Sequence, residues 1–103
     1  MRFEKLVRDF IPGLILRHGD RPVTRILDEE EFGLELTRKL REEVDEFCES
    51  GTVEELADIL EVVYALAGES GIDRDTLEEI RGRKRRERGG FEKRIFLVET
   101  HAG

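Results

Sequence analysis

Apolar residues recur at spacings of three and four through the middle of this chain, the period of a helix face. Phe32, Leu36, Leu40, Val44 and Phe47 make one such stripe. Asp28, with Glu31 three residues on, supplies a capping box for a long helix reaching about Cys48. "ESGT" then breaks the pattern, and Thr52 with Glu55 forms a second capping box, opening a helix to about Ala67. After the turn "GESGID" a third helix is expected from Asp73 or Asp75 to Arg88, stopped by Gly89 and Gly90. The flanks read differently. "FEKLVRD" (3–9) predicts a short strand or extended arm, and "PGLILRHG" a short helix or turn. "RPVTRIL" (21–27) and "FEKRIFLVET" (91–100) are rich in β-branched and aromatic residues and read as strands. The fold class expected is mainly α: a helical bundle with short terminal strands or extended arms, in one domain spanning 1–103.

The polar positions complicate this picture. From Lys39 to Glu61, "KLREEVDEFCESGTVEELADILE" carries nine carboxylates. Advancing about 100° per residue with Phe32 at zero, Leu36, Phe47, Leu40 and Val44 fall at roughly 40°, 60°, 80° and 120°. Glu43 falls at about 20°, inside the apolar stripe, and Glu46 at about 320°, on its border beside Lys39. Glu42 lies further out. The next helix is apolar nearly all round, the pattern of a central helix. With Glu55 at zero, Val62 and Leu66 lie within about 20° on either side and Asp58 about 60° away. Two pairs of acids at i, i+3 therefore stand on adjacent helices joined by a short turn. Antiparallel packing would bring all four together.

Buried carboxylates without partners cost several kcal/mol each or take up protons. A hard divalent cation resolves the conflict: Mg²⁺, with Mn²⁺ as the alternative, prefers oxygen ligands and phosphates. The absence of His and Cys from the set argues against zinc. A plainer reading stands beside this one. Glu42 and Glu43 could pair with Arg38 and Lys39 on the helix surface, and Glu55 could be only the capping residue after Thr52.

Composition narrows the classes. Charged residues make up 42% and hydrophobic ones 38%. No apolar run approaches the ~20 residues of a membrane span, and the first ten residues lack a signal-type apolar core. The single Cys48 cannot form an internal disulfide, so a reducing cytoplasm is expected. The formal net charge is -7, which argues against nucleic acid as a partner. "RGRKRRER" (81–88) nevertheless concentrates six basic residues, enough for a phosphate-facing patch or for a solvated helix C-terminus complementing the dipole.

"KLREEVDE" followed by "EELAD" resembles the EExxE…ExxD signature of the all-α nucleoside triphosphate pyrophosphohydrolases, the MazG-like superfamily. "KLVRD" with Pro12, "ELADILEVVYAL", Lys84 and "RGGF" (88–91) resemble its small phosphoribosyl-ATP pyrophosphohydrolase-like branch. The likeness covers most of the chain and departs at Phe10, where that branch usually has lysine. It implies hydrolysis of a nucleoside triphosphate between the α- and β-phosphates, with removal of non-standard, damaged or surplus nucleotides as the role. It implies Glu43, Glu46, Glu55 and Asp58 as ligands of Mg²⁺ or Mn²⁺, and Glu42 as the residue that orients or deprotonates water. Candidates for binding the substrate phosphates are Lys39, Lys84 and Arg88, with Lys5 and Arg8 ranked lower because a structural pairing of these two with Asp9 is at least as good a reading. A homodimer or homotetramer is expected, since a helix apolar on all sides needs more cover than one short chain offers. The alternative is a non-catalytic helical regulator of the same fold that binds nucleotide or protein.

Overall fold

The computed structural model describes residues 4–103 and contains four helices. They are α1 (Ile11–Arg17), α2 (Glu29–Ser50), α3 (Val53–Glu69) and α4 (Arg74–Arg88). α2 and α3 form the principal packed pair, α4 touches α3 along a shorter stretch, and α1 packs on no other helix. None of the helices among the described residues is long and apolar enough to cross a membrane.

Local chemistry explains the boundaries. Asp28 adopts an extended backbone and its carboxylate accepts the Glu31 N–H at 2.8 Å. Arg25 grips the Glu31 carboxylate at 3.0 and 3.3 Å and holds it below its ordinary range, so the Asp28 half of the expected capping box forms while the Glu31 side chain is engaged by Arg25. Asp73 caps α4 in the same way, accepting the Thr76 N–H at 2.8 Å. The expected box at Thr52 does not form. Its hydroxyl makes no cap bond and instead meets Ser50 Oγ at 3.3 Å, while Glu55 is turned toward α2. Between α2 and α3 only Gly51 and Thr52 intervene. Gly51 takes the left-handed conformation (φ 66°) that lets its N–H reach the Phe47 carbonyl at 2.8 Å.

No strand occurs among the described residues. The segments 21–27 and 91–100, which read as strands, are extended arms. A β-prone segment needs a neighbouring strand to satisfy its backbone, and this chain sets none beside either one. Phe3, the first residue of the expected N-terminal arm, lies outside the described residues. The following "PGLILR" does form a helix, with Pro12 in its first turn.

The core is thin. Leu36 of α2 and Val62 of α3 are the buried hydrophobic residues among those described, and Glu43 is buried as well. Phe32, Leu40 and Phe47 of the expected stripe are half-buried, and Val44 is exposed. On α3, Val53, Leu56 and Leu60 stand in solvent. The radius of gyration is 18.5 Å, against roughly 13 Å for a compact domain of this length. The accessible surface is 9692 Å², where roughly 6,000 Å² is usual for a folded monomer of this mass.

The two capping residues separate in a stability measurement. Asp28→Ala is expected to cost about 1 kcal/mol, and Thr52→Ala less than about 0.5 kcal/mol, because only the first removes a cap bond. Urea denaturation of both variants checks this, and equal losses would contradict the cap assignment.

Candidate metal centre

α2 delivers Glu43 from its buried stripe, one turn beyond Lys39, and α3 delivers Glu55 and Asp58 from its first two turns. The short Gly51–Thr52 connection folds these segments onto each other. One carboxylate oxygen from each of Glu43, Glu55 and Asp58 lies within 4.8 Å of the others. Glu43 is 7% exposed. Its Oε2, like Oε2 of Glu55, is shut off from water and accepts no hydrogen bond. Such atoms are rare in folded proteins and mark a missing partner.

The electrostatics point the same way. The Glu55 carboxyl is pushed above the ordinary glutamate range, first by burial, then by the neighbouring charge of Glu46, and further by Asp58 and Glu43. Glu46 is exposed and stands outside the tight group of three, yet near enough to act on Glu55. Two cations partly offset the four acids. Lys39 Nζ lies 3.4 Å from Glu43 and 3.7 Å from Glu42. Arg8 Nη2 lies 2.7 Å from Asp58 Oδ1. The acids remain in excess, and the orphaned oxygens fit a hard divalent ion, which accepts carboxylate oxygen without needing a proton.

The sequence-derived candidates divide into three groups. Glu43, Glu55 and Asp58 meet, with Glu46 at their edge. Glu42 is exposed and is tied to the same Lys39 that pairs with Glu43. The surface pairing expected of Lys39 and the inward placement of Glu43 are therefore both realised, while Arg38 pairs with Glu35 at 3.2 Å. Lys84 and Arg88 are exposed on the last turns of α4 and make no ion pair among the described residues, so the chain does not bring them to the acids. Within that basic run, Arg81 pairs with Glu78, and Arg85 with Glu92. Lys5 lines a groove with Arg25, Glu31 and Glu35, at the other end of α2. Arg8, ranked low in sequence, is placed directly on an α3 acid. It pairs with Asp58, not Asp9. No periodicity links residues 50 apart, and the only signal was the cation itself in a segment expected to be extended.

Tyr64 is half-buried and lies beneath Arg74, whose guanidinium carbon is 4.2 Å from the ring centre. The ring is engaged in a cation–π contact in a groove between α3 and α4.

Glu55 gives the site a pH signature. Its raised pKa means that the folded chain keeps a proton that the unfolded chain releases at about pH 4.3. Stability from this group is fully present below that pH and is lost as pH climbs through the raised value. Glu55→Gln removes the titration. In the presence of a chelator, its melting temperature is expected to match the parent's at the acid end and to exceed it increasingly as pH rises. Melting curves across the range check this, and a constant difference would count against it.

No protein-family model matches this chain, and neither the curated proteins nor the solved structures contain a match to it.

Proposed function

We propose that the chain is a metal-dependent nucleoside triphosphate pyrophosphohydrolase of the MazG-like kind, cleaving between the α- and β-phosphates to give a nucleoside monophosphate and pyrophosphate. The observation that carries this reading is the meeting of Glu43, Glu55 and Asp58 within 4.8 Å, with two buried oxygens that lack any partner. The EExxE…ExxD pattern of the sequence supports it, because three of its five acids, Glu43, Glu55 and Asp58, are the ones that converge.

In this reading Glu43, Glu55, Asp58 and Glu46 hold Mg²⁺ or Mn²⁺. A bound ion of this type neutralises phosphate oxygens and acidifies a coordinated water. The chain supplies the rest. Glu42, exposed and paired with the same Lys39 as Glu43, orients the attacking water and accepts its proton. Lys39, already between Glu42 and Glu43, is positioned to contact phosphate. Lys84 and Arg88 reach substrate only if a second chain brings them to the site.

A second chain also answers the thin core. We infer a homodimer or homotetramer in which another copy covers the exposed apolar faces of α2 and α3, where Val44, Val53, Leu56 and Leu60 stand in water. Light scattering at micromolar concentration is expected to give at least twice 12.0 kDa. A fully active monomer would reject the assembly.

Incubation of a nucleotide panel with Mg²⁺ is expected to release pyrophosphate. Chromatography that found nucleoside diphosphate and phosphate as the main products would reject the assignment. Glu43→Gln keeps the side-chain shape and removes one charge. Turnover is expected to fall by about a hundredfold or more, in line with the loss of other electrostatic groups at reaction centres. The metal-free variant is expected to be as stable as the parent or more so. Mg²⁺ should raise its melting temperature less than it raises the parent's. Unchanged turnover together with the parent's metal response would remove Glu43 from the site.

A further inference from the structure

We propose that Arg8 occupies the metal centre as an exchangeable cation: it neutralises Asp58 while the centre is empty, yields that carboxylate to a divalent ion, and then binds the phosphate chain of the substrate. This rests on the metal-site reading above and adds a competitor to it.

Three observations carry the inference. Arg8 Nη2 meets Asp58 Oδ1 at 2.7 Å, and Asp58 is one of the three acids whose oxygens converge. The neighbouring Glu43, whose carboxylate joins the same cluster, is nine-tenths buried and keeps one oxygen, Oε2, without a hydrogen-bond partner, so the cluster has an unmet demand for positive charge. The Arg8 side chain is 56% exposed and that of Asp58 41%. Water screens such a pair, which makes it weak and easily broken. A pair buried to the degree of Glu43 would instead be locked in place.

The backbone holds Arg8 where exchange is possible. Its carbonyl accepts the Ile11 N–H at 3.1 Å, in the turn that leads into α1. Leu6 and Val7 just before it are half-buried, which anchors the segment. The guanidinium can therefore swing without moving the chain. A divalent ion and a guanidinium that draw on the same carboxylate compete for its negative charge. Whatever Arg8 gains from Asp58, the ion must displace, and the coupling is reciprocal. Once released, the planar fork of Arg8 matches two phosphate oxygens, a geometry that lysine cannot reproduce.

The test sets metal affinity against phosphate affinity. Calorimetry with Mn²⁺ alone is expected to give a dissociation constant about two- to fivefold lower for Arg8→Met than for the parent, the size of an exposed ion pair. Pyrophosphate at saturating Mg²⁺ should bind Arg8→Met about tenfold more weakly, as for loss of a hydrogen bond to a charged group. Arg8→Lys should keep the parent's Mn²⁺ affinity and recover only part of the pyrophosphate affinity. Opposite signs for the two ligands distinguish exchange from a structural role, which would move both the same way or neither. In the parent, the Arg8 guanidinium ¹⁵N resonance should shift on saturation with Mg²⁺ and again on adding pyrophosphate. An unshifted resonance, or Mn²⁺ binding by Arg8→Met no tighter than by the parent, overturns the exchange and leaves the metal site standing. A parent that takes up no Mn²⁺ overturns both.

Discussion

Like charges forced together between two packed helices are the constraint on which the rest of this molecule depends. Four acids of α2 and α3 act on one another, and one of them, Glu43, shares the buried layer with Leu36 and Val62. A hydrophobic layer that includes a carboxylate gives up stabilisation that a leucine at the same place would provide. The helix pair accepts this cost, and its remaining contacts work around it. Lys39 is held on the flank of α2, Arg8 is drawn in from the N-terminal segment, and Glu55 retains its proton more readily than a free glutamate. Each is a partial answer to the same excess of negative charge. Together they leave two oxygens without a partner, which fits the divalent ion proposed above.

The distribution of apolar surface completes this account. A chain that spends part of its interior on carboxylates needs cover from elsewhere, and here it does not find that cover in its own arms. Phe91, Ile95, Phe96, Leu97 and Val98 are all at least 75% exposed, and the central helices keep apolar positions in solvent. This exposed apolar surface is what the proposed assembly would cover.

Much of the helical core was legible in the sequence because its signal is local and periodic. The inward turn of Glu43 followed from its angle relative to Phe32 and Leu36, the start of α2 followed from Asp28, and for that of α4 the sequence offered Asp73 or Asp75, of which Asp73 is the cap. Where the reading failed, a second body was needed to decide the outcome. "RPVTRIL" and "RIFLVET" have strand composition, but a strand exists only beside another. Thr52 and Glu55 have the spacing of a capping box, but Glu55 faces the α2 acids and leaves the cap unmade. Arg8 lies 50 residues from Asp58, and nothing in periodicity joins them. Lys84 and Arg88 show the converse case: their charge was evident, but their position relative to the acids depends on how α4 leaves α3.

The turn at Gly51 has a consequence for how this chain can change length. Because only two residues separate α2 from α3, the rotation of one helix relative to the other is set almost rigidly. One residue inserted early in α3 would carry Glu55 and Asp58 about 100° around the helix axis, away from Glu43. One residue inserted in the arms at 18–28 or 90–103 would leave every acid where it is. Insertions and deletions among descendants of this sequence should therefore collect in the arms and be absent from the stretch between Glu43 and Asp58, so that the hairpin acts as a reading frame in three dimensions.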